Sequence, residues 1–280
     1  MTFSIVARSA DGLAHGVAVA SKFLAVGAAV PAAEALVGAI ATQSYANLAY
    51  RLDGLALLRQ GRSAQQTLDL LTDADELADQ RQAGIVAQAG PGATFTGPRC
   101  LPWAGGLVGD GYAIQGNILT GPDVVAAMER TWLDSDGTLP LGGRLLAALR
   151  AGDLAGGDRR GRQSAALLVV TPGGGYGGGS DVLVDLRVDD HRDPLPELAR
   201  LLDLHRLYFE RPDPSQCRPL DADLAKRVGS LLAARGHCGD DLEQSLADWA
   251  SVENLEERLV PGRIDPLVLA QLEQPARAGG

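Results

Sequence analysis

The chain has 280 residues, 46% hydrophobic and 21% charged, which is the balance of a globular protein large enough to bury a full core. A formal net charge of −10, a pI near 4.9 and no basic block longer than Arg159-Arg160-Gly161-Arg162 exclude a nucleic-acid binder. Cys100, Cys217 and Cys238 have no metal-ligand spacing, so neither metal nor cofactor is expected; a reduced protein is the simpler reading and a Cys217–Cys238 disulfide the other.

Thr2 to Lys22, TFSIVARSADGLAHGVAVASK, reads as a β-hairpin in which FSIVA and GVAVAS flank a turn at Asp11-Gly12. Only Met1 precedes Thr2. Removal of Met1 would leave Thr2 with a free α-amine, whose pKa of about 8 is much nearer neutrality than that of a lysine. One residue would then supply both nucleophile and base. The plain alternative is a threonine that merely opens an edge strand. No signal peptide is expected, since a basic head and long apolar core are missing. The Ala-rich run from Gly16 to Ala41 is broken by Lys22, Pro31 and Glu34, so no membrane partner is expected and a cytoplasmic protein is.

FLAVGAAVPAAEAL has no clear period. GAIATQSYAN reads as a third strand ending in Gln43, Ser44 and Asn47, which either reach a cleft or satisfy loop backbone. Helical spacing starts at Arg51, with Leu52, Leu55, Ala56 and Arg59 on one face; Gly61 stops it and Ser63 caps a second helix, AQQTLDLLTD. AGIVAQ and ATFTG form a hairpin, and a loop over Pro98–Gly111 follows. YAIQGN is a strand running into a turn, which leaves the Asn117 amide at a strand end where it can donate to an oxyanion.

Pro122 opens a helix over VVAAMERTWL, and LGGRLLAALRAG is the next. GGDRRGRQSAALLVV then gathers Asp158, Arg159, Arg160, Arg162, Gln163 and Ser164 ahead of a buried strand. Charged loops are commonly solvated faces, but one that joins a helix to a buried strand sits at the end of a sheet. Arg159 and Arg162, with Gln43 and Asn47, are therefore candidate substrate-binding residues. PGGGYGGGS leads into the strand DVLVDLRVDD and lacks the ending and the helix of a phosphate loop. Beyond Pro194-Leu195-Pro196 the pattern is helical, with Leu246, Trp249 and Leu255 as expected core. The expected domains are residues 1–195 and 196–273, with a flexible tail over 274–280.

MTFSIVAR, GVAVASKF, GAIATQSYAN, YAIQGNIL and GGDRRGRQSAALLVV, in order over about residues 1 to 200, resemble the DUF1028 family of uncharacterised N-terminal nucleophile (Ntn) hydrolase-like proteins. LLDLHRLYF and DWASVENLEER resemble the small helical domain that often follows in this family and is labelled peptidoglycan-binding. The element order matches the α+β, four-layer αββα sandwich of the Ntn hydrolases, here followed by a small all-α domain.

The resemblance implies that Thr2 attacks an amide carbonyl, that its own amine takes the proton, and that water hydrolyses the acyl-enzyme. Lys22 falls where the proteasome pattern has an Asp, and GAIATQ lacks the lysine that the superfamily carries on the following strand. Lys22 would instead enter the cleft from the neighbouring strand and lower the pKa of the Thr2 hydroxyl and amine. Asp158 and Ser164 resemble the Asp and Ser that support the terminal amine; Asn117 is the oxyanion candidate and Gln43 its alternative. The expected activity is cleavage of an amide or peptide-like C–N bond in a small substrate by a homo-oligomer, dimer or larger, with a peptidoglycan fragment as a ligand of the helical domain. The competing expectation is a non-catalytic Ntn-fold binding or assembly module whose helical domain recruits a partner.

Overall fold

A computed structural model describes residues 2–274. Met1 and residues 275–280 of the expected tail lie outside the described residues.

The first hairpin pairs β1 (Thr2–Arg8) with β2 (His15–Ser21). Its loop is built locally: Ser9 Oγ donates to Asp11 Oδ1 at 2.5 Å, Leu13 N–H donates to the same oxygen at 3.0 Å, and Gly12 takes the left-handed φ of 74°. A short helix, α1 (Val26–Ala29), leads to β3 (Pro31–Glu34) and β4 (Gly38–Gln43). Helices α2 (Ala49–Arg59) and α3 (Ala64–Asp73) precede β5 (Gln82–Ala87), β6 (Ala93–Thr96), β7 (Gly105–Gly109) and β8 (Tyr112–Asn117). Helices α4 (Asp123–Asp134) and α5 (Leu141–Leu154) then lead to β9 (Ser164–Val170) and β10 (Val182–Val188).

The strands form two antiparallel sheets, ordered β10-β9-β2-β1-β8-β7 and β3-β4-β5-β6. Period-two alternation sorts their side chains into three cores. Phe3, Ile5 and Ala7 turn outward onto α4 and α5, among Met128, Leu145 and Leu149. Val6, Val17 and Val19 turn inward onto Ala39, Ala41 and Val86 of the second sheet. Ile40, Ala83 and Ile85 face α2 and α3, among Leu55, Leu58, Leu68 and Leu71. The result is a four-layer αββα sandwich in which β1 and β2 are central strands buried on both faces.

Two strands carry little periodic signal. Strand β3 is a half-buried edge of four residues inside the aperiodic FLAVGAAVPAAEAL, and β7 is GGLVG, hidden in the expected loop Pro98–Gly111 by its glycines. The face of α2 also differs: the helix starts at Ala49, its buried stripe is Tyr50, Gly54, Leu55 and Leu58, and Leu52 is 76% exposed. Ser63 caps α3 through a full capping box with Gln66. All three cysteines are free thiols, which removes the Cys217–Cys238 reading.

The chain divides into two compact units between Leu202 and Asp203, and α6 (Pro194–Phe209) is continuous through residue 195. The second unit contains α7 (Ala222–Ala233), α8 (Leu242–Glu253) and α9 (Pro266–Glu273), with a two-residue ladder of β11 (Arg218–Pro219) and β12 (Arg263–Ile264). Leu246, Trp249 and Leu255 lie in its core with Val228, Leu232 and Val268. A buried ion pair between Arg258 and Asp265, 2.5 Å long, stands beside that core, and Arg258 also donates to the carbonyls of Arg206 and Glu210. Among the described residues no helix is long and apolar enough to cross a membrane.

Candidate active site

The register of the larger sheet places Asn117, Thr2, Ser21 and Ser164 directly opposite one another at one end of β8, β1, β2 and β9. Directly opposed residues project to the same side, so the four line one row facing the second sheet. In that row Thr2 Oγ1 and Ser21 Oγ lie 3.1 Å apart in a buried hydroxyl–hydroxyl hydrogen bond. The row opens into a cleft of about 660 Å³ whose wall includes Thr2, Gln43 and Asn117. Phe23, Val26, Leu48 and Leu101 give the wall its apolar part, and Arg81 and Arg160 its charge.

Beneath Thr2 the aliphatic layer between the sheets gives way to a belt of amides. Ser4 Oγ donates to Gln43 Oε1 at 2.8 Å and accepts from Gln115 Nε2 at 2.7 Å. Gln82 Oε1 accepts from Gln43 Nε2 at 2.8 Å and from Asn117 Nδ2 at 2.9 Å, while Gln82 Nε2 donates to the Gly116 carbonyl at 2.7 Å. Gln43 and Asn117 also reach back to the Thr2 carbonyl, at 3.3 and 3.5 Å. Gly84 makes room for the belt, since a Cβ there would stand 2.0 Å from Gln115 Oε1. The residues after both cleft amides are strained: Ser44 and Tyr45 follow Gln43 with φ of 57° and 49°, and Ile118 follows Asn117 with φ of 50°. Left-handed backbone costs a non-glycine residue on the order of 1–3 kcal/mol and concentrates at functional sites.

The remaining candidates divide into supports of the rim and outlying groups. Asp158 is buried and accepts from the backbone N–H of Lys22 and of Arg160, both at 2.8 Å, and from the Arg160 guanidinium at 3.5 Å. Ser164 Oγ donates to the Phe23 carbonyl at 2.5 Å and accepts from Val26 N–H at 3.1 Å, tying down the segment that forms the apolar wall. Asn47 Nδ2 donates to Asp75 Oδ2 at 3.0 Å, and its Oδ1 accepts from Ala49 N–H at 3.1 Å. Burial pushes the Asp75 carboxyl up, but hydrogen bonds from Arg81, then Asn47 and Leu77 N–H, outweigh it and hold the group well below the usual carboxylate range. The Lys22 and Arg159 side chains are exposed and outside the cleft wall. Arg162 pairs with Asp153 at 2.7 Å and Asp193 at 3.3 Å, also outside it.

Ser21, Arg81 and Arg160, like Ser4, Gln82 and Gln115 of the belt, are site residues that sequence reasoning did not select. Ser21 was within reach, because a hairpin centred on Asp11-Gly12 sets residue 21 opposite residue 2. Arg81 has no such signal, since it reaches the wall from the end of β5's preceding loop by pairing with Asp75 at 2.9 Å. Among the described residues no cluster of three His, Cys, Asp or Glu side chains is placed to hold a metal.

A four-layer αββα sandwich with a hydroxyl residue at the first position of a central strand defines an Ntn-hydrolase-like fold. The model for a "Family of unknown function (DUF1028)" matches residues 2–198, and the chain belongs to that family. A second model, "Putative peptidoglycan binding domain", matches residues 208–272. The crystal structure of a DUF1028 protein from Silicibacter pomeroyi is 30% identical, covers 73% of this chain and 86% of its own, and superposes with a TM-score of 0.66. Two Anbu structures are more distant. That of a Gly-1 mutant from Hyphomicrobium sp. strain MC1 is 11% identical over 76% of this chain and 99% of its own, TM-score 0.37. That of the ancestral β-subunit from Yersinia bercovieri is 14% identical over 72% and 93%, TM-score 0.32. Neither carries weight here, and the sandwich stands on its own sheet topology. No curated protein matches the chain.

Proposed function

We propose that this chain is an amide hydrolase of the N-terminal nucleophile type that uses Thr2 as its first residue after loss of Met1. The observation that carries the reading is the position of the Thr2 hydroxyl, 3.1 Å from Ser21 Oγ at the sheet end. Thr2 also belongs to the wall of the 660 Å³ cleft. The α-amine, with a pKa of about 8, takes the hydroxyl proton as Oγ1 bonds to the substrate carbonyl carbon. The amide C–N bond then breaks, and the leaving nitrogen takes the proton from the ammonium. Water cleaves the resulting ester, which releases the acid and restores Thr2.

Asn117 is the proposed oxyanion donor. Its Nδ2 makes one short bond, to Gln82 at 2.9 Å, and one at the limit, to the Thr2 carbonyl at 3.5 Å, and the second hydrogen is the one offered to the developing charge. Asp158 and Ser164 act as positioning residues that hold the segment leaving β2 after Ser21, at Lys22 N–H and at the Phe23 carbonyl and Val26 N–H. Lys22 contributes through its backbone N–H to Asp158, so the terminal amine itself carries the proton transfer.

A non-catalytic binding module is the second reading. It is favoured by the belt, in which the Gln43 amide is taken up by Gln82 and, through Ser4, by Gln115, so that its hydrogen-bonding groups are engaged within the protein. In that reading the helical unit, with its match over residues 208–272, recruits the partner. Intact mass together with N-terminal sequencing separates the two. The hydrolase requires Thr2 as the first residue and a covalent adduct with a β-lactone that is lost in Thr2→Ala. Any residue retained on the Thr2 amine, or an adduct that persists in Thr2→Ala, rules it out.

A further inference from the structure

The charge of the whole chain and the charge of the cleft point in opposite directions. A formal net charge of −10 favours cationic partners at long range. In the cleft wall, however, the charged side chains among the described residues are Arg81 and Arg160, with no carboxylate. Their acidic partners stand behind them: the Asp158 side chain is 2% exposed against 45% for Arg160. Asp158 is already held by two N–H donors at 2.8 Å, both shorter than its 3.5 Å contact with the Arg160 guanidinium. Asp158 thus has backbone partners of its own, while the Arg160 guanidinium, half-exposed on the cleft wall, carries a planar fork of five donors, more than one partner can use. The rest of the wall is apolar and open, since Phe23, Tyr45, Leu48 and Leu101 are among the large hydrophobic residues left exposed. A volume of about 660 Å³ is that of a small-molecule site.

We propose that the cleft takes amides that combine an apolar chain with a carboxylate, the chain against Phe23, Leu48 and Leu101 and the carboxylate on Arg160. N-acyl amino acids and monoamides of dicarboxylic acids share this chemistry. The inference rests on the hydrolase reading of Thr2. Hydrolysis adds one water across the C–N bond and yields a carboxylic acid and an amine, and the two substrate types differ in which product retains the original carboxylate.

The full chain carrying Thr2→Ala separates binding from turnover. Calorimetric titration compares two acids, N-octanoylglycine and suberic acid mono-N-butylamide, with neutral N-octanoylglycinamide and a cationic N-octanoyl diamine. At least one acid should bind about tenfold more tightly than the neutral and cationic probes, the scale of one charge-assisted hydrogen-bonded pair. The tighter of the two acids tells which side of the amide bears the carboxylate. Adding Arg160→Gln should remove that preference, and Arg160→Lys should recover part of it. No binding of either acid, equal or tighter binding of the neutral or cationic probe, or an acid preference that survives Arg160→Gln overturns the inference. Turnover by the unsubstituted chain is read separately. Selective acid binding without hydrolysis refutes the Thr2 mechanism and leaves the anion preference standing. Hydrolysis of the neutral probe in preference to both acids retains Thr2 and overturns the substrate class.

Discussion

Gln82 links the two sheets at the level of Thr2, and its replacement tests whether the amide belt is closed. Its carbonyl accepts from Gln43 and Asn117 at 2.8 and 2.9 Å, and its amide donates to Thr96 Oγ1 at 2.9 Å and the Gly116 carbonyl at 2.7 Å. Gln82→Leu nearly conserves volume, so it opens no cavity and the loss is polar. Gln43 Nε2 keeps the Thr2 and Gln115 carbonyls at 3.3 and 3.5 Å, whereas Asn117 Nδ2 keeps only the Thr2 carbonyl at 3.5 Å. Asn117 Nδ2 is thus the group stranded in the interior, since Gly116 also pairs with Gly105 in the β7–β8 ladder. At about 1–3 kcal/mol for a stranded group, Gln82→Leu should cost roughly 1–3 kcal/mol. Urea unfolding followed by tryptophan fluorescence measures this, with m-values compared between proteins. Asn117→Leu removes the stranded donor in advance, so the double substitution should cost about 1 kcal/mol less than the sum of the single ones. A loss under about 1 kcal/mol for Gln82→Leu, with strictly additive effects, would refute a belt whose members depend on one another.

Three further outcomes test other parts of the sandwich. His15 is fully buried, and burial, aided by the Arg8 charge, pushes its pKa down to about 4. The unfolded imidazole titrates near 6.5, so this stability is present above that pH and is lost as pH falls toward 4. The loss should reach roughly 3 kcal/mol, and His15→Leu should flatten the pH dependence of unfolding over that window; parallel curves for the two proteins would contradict the assignment. Gly84→Ala sets a Cβ 2.0 Å from Gln115 Oε1 and 2.6 Å from its Nε2, which must then leave Ser4 Oγ, at a cost of about 1–3 kcal/mol; an unchanged melting temperature would contradict this. Ser63→Ala removes half of the capping box on α3 and should cost about 1 kcal/mol in chemical denaturation, with Ser63→Asp recovering most of it.

The fold was legible wherever one face of a regular element is buried and the other contrasts with it, and also where a run is apolar throughout. Strand β2, buried at all seven positions, is continuously apolar from Gly16 to Ala20, and α3 carries its cap in Ser63, a residue that does little else. Strands β3 and β7 were not legible because glycine, alanine and proline leave no contrast between faces, and only pairing with β4 and β8 holds them in the sheets. The same division runs through the site. Thr2, Gln43 and Asn117 occupy strand ends, which a sequence marks with a change from apolar to polar residues. Asp158 and Ser164 are legible as polar residues at a sheet end, but their partners are backbone groups of residues 22–26, and backbone partners leave no trace in residue type. Arg160, Arg159 and Arg162 are indistinguishable in sequence. Only the ion pairs of Arg162 with Asp153 and Asp193 and the pairing of Arg160 with Asp158 assign them to different surfaces.

That separation bears on how the proposed mechanism would run without a lysine beside Thr2. A terminal amine acting as base needs a hydroxyl held at fixed range and a strand end that does not fray, and either requirement fails if β1 begins loosely. Here the first described residue of β1 is pinned on both flanks, to Ser21 by its side chain at 3.1 Å and to Gln43 and Asn117 by its carbonyl at 3.3 and 3.5 Å. Gln43 and Asn117 in turn donate to the carbonyl of Gln82, a residue fully buried between the sheets. In the proposed mechanism the amide belt would supply preorganisation, the property that makes hydrogen-bond donors effective at a developing charge, and leave the choice of substrate to the exposed residues of the wall. Residues that hold the nucleophile and residues that read the ligand are then different sets. Substitutions in the belt should lower turnover together with stability, while substitutions at Arg160 should change affinity alone.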